Sequence, residues 1–103
     1  MAVATIKLVN SDNMFDFYLN KDQVEVARRL LKQGSYTTVG DMGVPGLEGE
    51  AAAEEVFDLT NNPSREEERD QLYDRRYRSL SVGDIVRVDG VSYLCASYGW
   101  EVL

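Results

Sequence analysis

Two carboxylate runs, Glu54-Glu55 and Glu66-Glu67-Glu68, and one thiol, Cys95, are the side chains in this sequence whose types could do covalent or acid–base chemistry. Carboxylates act as general acid and base or hold divalent cations, and a thiolate is a nucleophile, but each needs a convergent partner. The chain has no histidine, so the usual general base, the usual activator of a cysteine and a common zinc ligand are missing. Neighbouring carboxylates on one helix point different ways, and neither run converges on a single ion or substrate atom by itself. A lone cysteine excludes an intramolecular disulfide, and Cys95, set among apolar residues, reads as a small hydrophobe. The glycines from Gly40 to Gly49 carry neither the P-loop lysine nor the dinucleotide spacing. No catalytic residue, metal site or cofactor is assigned, and the chemistry left is that of a surface.

Charge defines that surface. The chain carries a net charge of −7, and between Lys32 and Arg65 there is no basic residue. Asp41, Glu48, Glu50, Glu54, Glu55 and Asp58 fill that interval and form a candidate partner-binding belt suited to a host protein with a basic surface. The simpler reading is a solvated face that keeps the protein soluble. Such a belt repels a phosphate backbone, which disfavours nucleic acid. The alternative is a small nucleic-acid module in which Arg75, Arg76 and Arg78 interleave with Tyr73 and Tyr77. Tyr98 and Trp100 join the belt as candidate contacts, because Tyr and Trp are favoured interface anchors; their competing role is to lid the core.

The elements that must position these residues follow from periodicity. Val3 to Val9 is β-rich, and Met14 to Leu19 is a second β-rich run after the turn formers Asn10-Ser11-Asp12-Asn13, which predicts a hairpin. From Asn20, a candidate N-cap, Val24, Ala27, Leu30 and Leu31 share a helical face that ends at Gly34, predicting about three turns of helix. Tyr36 to Val39 is a short strand, and residues 40–49 read as a glycine-containing loop. Glu50 to Leu59 has helical composition and stops at Asn61-Asn62-Pro63. Ser64 and Glu67 fit a capping box opening a second short helix, which Leu72 and Tyr73 should dock.

Asp89-Gly90 predicts a two-residue hairpin turn with Val88 facing Val91, Val86 facing Tyr93 and Asp84 facing Cys95. That register puts Val86, Val88, Val91, Tyr93 and Cys95 on a dry side, opposite Ile85, Arg87, Ser92, Leu94 and Ala96. Trp100 to Leu103 returns as a last strand. Strands at the two ends with helices between them predict α+β: an antiparallel sheet of about five strands, terminal strands adjacent, with one three-turn helix and two short helices packed on it. A chain of 103 residues with 44% apolar content is read as a single domain, residues 1–103.

The run Leu80-Ser81-Val82-Gly83-Asp84-Ile85-Val86, with Tyr93 and then Ser97-Tyr98-Gly99-Trp100-Glu101, resembles the C-terminal signature of the YodL-like family, small proteins of bacteria, phages and other mobile elements. Val56 to Pro63 extends the likeness, and together the two stretches, 56–63 and 79–103, span part of the chain; the acidic segment from Gly40 to Glu55 departs from it. The resemblance implies no enzymatic activity. It implies a phage- or mobile-element-encoded accessory protein that modulates or inhibits a host macromolecule, with an anti-defence or nucleic-acid-mimic role as one form. The first residues lack a signal-peptide pattern, and no apolar run approaches the roughly 20 residues needed to span a bilayer, so a cytoplasmic protein without membrane attachment is expected. A terminal edge strand leaves a homodimer open.

Overall fold

A computed structural model describes residues 2–19 and 22–103. Five strands form one antiparallel sheet in the order β2-β1-β3-β4-β5: β1 (Ala2–Val9), β2 (Tyr36–Val44), β3 (Ile85–Val88), β4 (Val91–Cys95) and β5 (Trp100–Val102). Four helices complete an α+β fold: α1 (Asp16–Leu19), α2 (Gln23–Lys32), α3 (Gly49–Asn61) and α4 (Glu66–Leu72). The first strand therefore lies between β2 and β3, and the last strand is an outer edge; the expected adjacency of the terminal strands does not occur.

Each face of the sheet has its own core. Ala2, Ala4, Ile6 and Leu8 alternate inward from β1 and meet Val86 and Val88 of β3 beneath Ala52, Ala53, Val56 and Leu59 of α3. The alanines of α3 matter for packing as well as propensity, since their small side chains bring the helix axis close to the strands. On the opposite face Val9, Ile85 and Leu94 are covered by Phe17, Val26, Ala27 and Leu30 from α1 and α2. Ile85 and Leu94, expected on the wetter side of the ribbon, are thus as buried as Val86 and Val88, and Ala96, expected there too, is also buried. Full burial of a Val, Ile or Leu side chain is worth about 1.5–3 kcal/mol, so both layers are needed.

The hairpin β3–β4 has the register that the Asp89-Gly90 turn dictates, with Val88 opposite Val91 and Val86 opposite Tyr93. Asp89 and Gly90 both take positive φ, 51° and 81°, as a type I′ turn requires. Helix α2 is also placed as expected, but its N-cap is Asp22, whose carboxylate accepts the Glu25 amide at 3.1 Å. The candidate cap Asn20 lies outside the described residues.

Three local expectations are corrected. Met14 to Leu19 is not a strand: Ser11–Asn13 is a 3-10 turn and Asp16–Leu19 one turn of α-helix. Both edges of β1 are taken by β2 and β3, which leaves that segment no ladder to join, and Phe17 is its buried anchor, with Met14 packed on the same core. Residues 40–44 are not loop, because β2 runs on to Val44, with Met42 and Val44 buried and a bulge at Val39 where the register shifts between Ile6 and Lys7. The capping box does not form: Pro63–Arg65 is a 3-10 turn in which the Asn62 side chain accepts the Ser64 amide at 3.0 Å, and α4 starts at Glu66 without a side-chain cap. Of the two residues expected to dock α4, Tyr73 is buried and Leu72 is exposed.

Candidate interaction surface

The Ser81-Val82-Gly83-Asp84 run is structural. Asp84 is wholly buried, and its carboxylate is saturated. Oδ1 accepts the Val9 amide at 2.9 Å and Arg78 Nη2 at 2.8 Å, while Oδ2 accepts the Ser81 amide at 2.7 Å and Arg78 Nη1 at 2.6 Å. The same guanidinium donates to the Val9 carbonyl at 2.9 Å. Gly83 has φ +100°, and a Cβ there would lie 2.6 Å from the Phe17 ring; only glycine fits both demands. Tyr36 Oη donates to the Gly83 carbonyl at 2.6 Å and Tyr73 Oη to the Arg78 carbonyl at 2.7 Å. Burial first, and then the charge of Asp84, raises both phenols, Tyr73 to about 12. Thr60 and Asn61, at the end of α3, bond Leu80 through its amide and its carbonyl, which joins the Asn61-Asn62-Pro63 break to the Leu80-led run.

This network takes up two of the five candidate nucleic-acid residues, Tyr73 and Arg78. Arg78 belongs to Asp84, and Tyr73 is buried. Arg75 pairs with Asp70 at 2.9 Å, and Arg76 pairs with Asp74 at 2.8 Å while lying over the Tyr77 ring. The Asp74 carboxyl is held down to about 2 by Arg76.

The acidic belt divides. Glu55 and Asp58 do not face solvent as free charges: both grip Arg65, at 2.7 and 2.9 Å, and Glu68 joins them at 2.9 Å. Asp41 accepts a hydrogen bond from Thr5 Oγ1 at 2.7 Å. Glu48, Glu50, Glu66 and Glu67 are exposed, and their carboxylates form no hydrogen bond or ion pair among the described residues. Residues 48–72 hold nine carboxylates against two arginines, so this helical layer accounts for the whole net charge of −7. The carboxylates of Glu66, Glu67 and Glu68, one of the two carboxylate runs in the sequence, form no metal-binding group with their neighbours among the described residues.

Glu54 and Trp100 come together. Trp100 Nε1 donates to Glu54 Oε2 at 2.7 Å, and the Trp100 ring meets Phe57 edge-on with centroids 6.3 Å apart. These residues line a groove of about 430 Å³ between α3 and the turn before β5, which Ala96 and Ser97 bound on the other side. Cys95 also borders it, but burial pushes its thiol up to about 11, which disarms it as a nucleophile. Tyr98 is 95% exposed and so is no lid; Trp100, half-buried against the α3 core, fills that role.

Phe15, Tyr18 and Leu19, residues assigned from sequence to a strand, are 73%, 61% and 81% exposed. Tyr18 and Tyr98 line a second groove of about 370 Å³ that also touches Ala96 and Ser97. Only the fold shows this patch, because the β-like composition of Met14 to Leu19 hides a helical turn with a single inward residue. Comparison with family models, curated proteins and solved structures finds no match to the chain. No helix among the described residues is long and apolar enough to cross a membrane.

Proposed function

We propose that this chain is a small non-enzymatic interaction protein of the cytoplasm, encoded by a phage or mobile element, which binds and modulates or inhibits a host macromolecule through its acidic α3–α4 layer. The observation that carries this reading is the concentration of the net charge in residues 48–72, with Glu48, Glu50, Glu66 and Glu67 left unpartnered. An anionic face of this kind speeds encounter with a basic surface and excludes acidic ones. It also has the charge pattern of a nucleic-acid mimic. The resemblance of the 56–63 and 79–103 stretches to YodL-like proteins is consistent with this role.

The test is a pull-down from bacterial lysate with the intact protein and with a Glu48→Lys, Glu50→Lys, Glu66→Lys, Glu67→Lys variant, which spares the Arg65 cluster. Capture of a basic protein by the intact chain at 50 mM NaCl, lost in the variant and at 1 M NaCl, supports the reading. Capture of the same proteins by both, indifferent to salt, overturns it. The nucleic-acid alternative through Tyr73, Arg75, Arg76, Tyr77 and Arg78 has less support, since each arginine is tied to a carboxylate. A gel shift with single- and double-stranded DNA that Arg75→Glu and Arg76→Glu abolish would reinstate it.

A further inference from the structure

The geometry points to a peptide-binding site at the end of the molecule where α1, α3 and the turn before β5 meet, with an extended segment bearing lysine or arginine as its occupant. This deepens, and rests on, the proposal of a basic partner. Three observations converge on the site. The first is composition: Phe15 in the turn before α1, Tyr18 and Leu19 on α1 and Tyr98 on the turn before β5 are the most exposed large apolar side chains among the described residues. An apolar cluster of this kind on one side of a charged protein marks a contact surface, and Tyr and Trp are its usual anchors.

The second is charge. The two grooves that adjoin at Ala96 and Ser97 contain one ionisable carboxylate each, Glu54 beside Trp100 and Glu101 beside Tyr98, and among the described residues no lysine or arginine lines either. A cationic side chain entering the first groove meets a carboxylate already aimed by the Trp100 indole N–H, next to an aromatic face that attracts cations. An acidic or purely apolar segment would leave both carboxylates opposed or dry.

The third is rigidity. The Gln23 side chain clamps the turn: its Nε2 donates to Ser97 Oγ at 2.8 Å and to the Phe17 carbonyl at 3.2 Å, and its Oε1 accepts the Ser97 amide at 3.0 Å. Tyr98 is therefore presented on a turn fixed to α1 and α2, and little ordering remains to be done on binding.

Trp100 is the single tryptophan, so its indole N–H gives one resolved cross-peak in a ¹⁵N-correlated NMR spectrum. The full chain is titrated with a peptide of four arginines spaced by glycine and serine, and with the same peptide carrying glutamates. The expected result is saturable movement of the Trp100 indole and the Ser97 to Glu101 amides with the arginine peptide only. Affinity should fall about fivefold in Glu54→Gln, the loss of one exposed charge contact, and about tenfold in Tyr98→Ala. The Glu48, Glu50, Glu66, Glu67 reversal variant should keep the Trp100 response. Shifts confined to α3 and α4 with Trp100 unmoved overturn this site and leave the acidic-layer reading standing. No saturable shift anywhere overturns both, and an equal response to the glutamate peptide overturns the choice of occupant.

Discussion

Replacing Asp84 by asparagine tests whether the centre of this fold is held by one charge. The substitution keeps the shape but turns one acceptor oxygen into a donor, which at the Oδ2 position then faces both the Ser81 amide and an Arg78 N–H. Asp84 is fully buried and Arg78 one-third exposed on its side chain, so the arginine is left with a neutral neighbour in a partly dry setting. Breaking a buried pair by removing one partner costs about 3–5 kcal/mol, and an orphaned buried N–H about 1–3 kcal/mol. The remaining oxygen still accepts the Val9 amide, which places the net loss at about 3–4 kcal/mol. A domain of this length has a total stability of about 5–15 kcal/mol. With a urea slope of about 1.3 kcal/mol/M, the unfolding midpoint should drop by about 2.5 M at unchanged slope. Urea titration followed by Trp100 fluorescence reads this directly. Arg78→Met in the same background should add less than about 1 kcal/mol, since the pair is already broken. A loss below about 1 kcal/mol for Asp84→Asn, or strict additivity of the two changes, refutes the account.

Other expectations follow from the same network and its surroundings. Gly83→Ala should cost about 3 kcal/mol, from collision with Phe17 plus left-handed strain, whereas Gly99→Ala, whose added Cβ meets open space, should cost about 1 kcal/mol by thermal unfolding. The Tyr73 phenol is raised to about 12 in the folded state, so its contribution is intact below the unfolded value of about 10 and is lost as pH climbs toward 12. Absorbance at 295 nm should show Tyr73 and Tyr36 ionising only as the protein unfolds, and Tyr73→Phe should reduce the alkaline loss of stability. In Arg65→Gln, Glu55, Asp58 and Glu68 lose the cation they share. Its midpoint should fall furthest below that of the intact protein at 20 mM NaCl and approach it at 1 M, as salt screens the three carboxylates.

Local signals were legible where one residue pair determines geometry. Asp89-Gly90 is read correctly because few backbones satisfy two consecutive positive φ angles, and α3 because Ala51 to Leu59 agrees in propensity, period and stop signal. The sequence misleads where tertiary partners decide. Met14 to Leu19 has strand composition, but the edges of β1 belong to segments that begin 27 and 76 residues beyond Val9. In β2, Gly40 and Gly43 mask a period-2 pattern carried by Met42 and Val44. At the surface, the aromatic anchors Tyr98 and Trp100 were visible by type, while Phe15, Tyr18 and Leu19 were hidden by the strand reading. The pairing of Glu55 and Asp58 with Arg65 crosses the Pro63 turn, and no spacing rule announces it.

The ladder order has a kinetic corollary. Val9 finds its amide acceptor on Asp84, 75 residues later, and β1 is flanked by β3. At translation speeds of about 5–20 residues per second, roughly 4 to 15 s pass before the central ladder can close. Until then the apolar side of β1 has only β2 and α3 for company, and an open backbone edge. The tight β3–β4 hairpin, which zips locally and quickly, is then the piece whose arrival closes the free edge of β1.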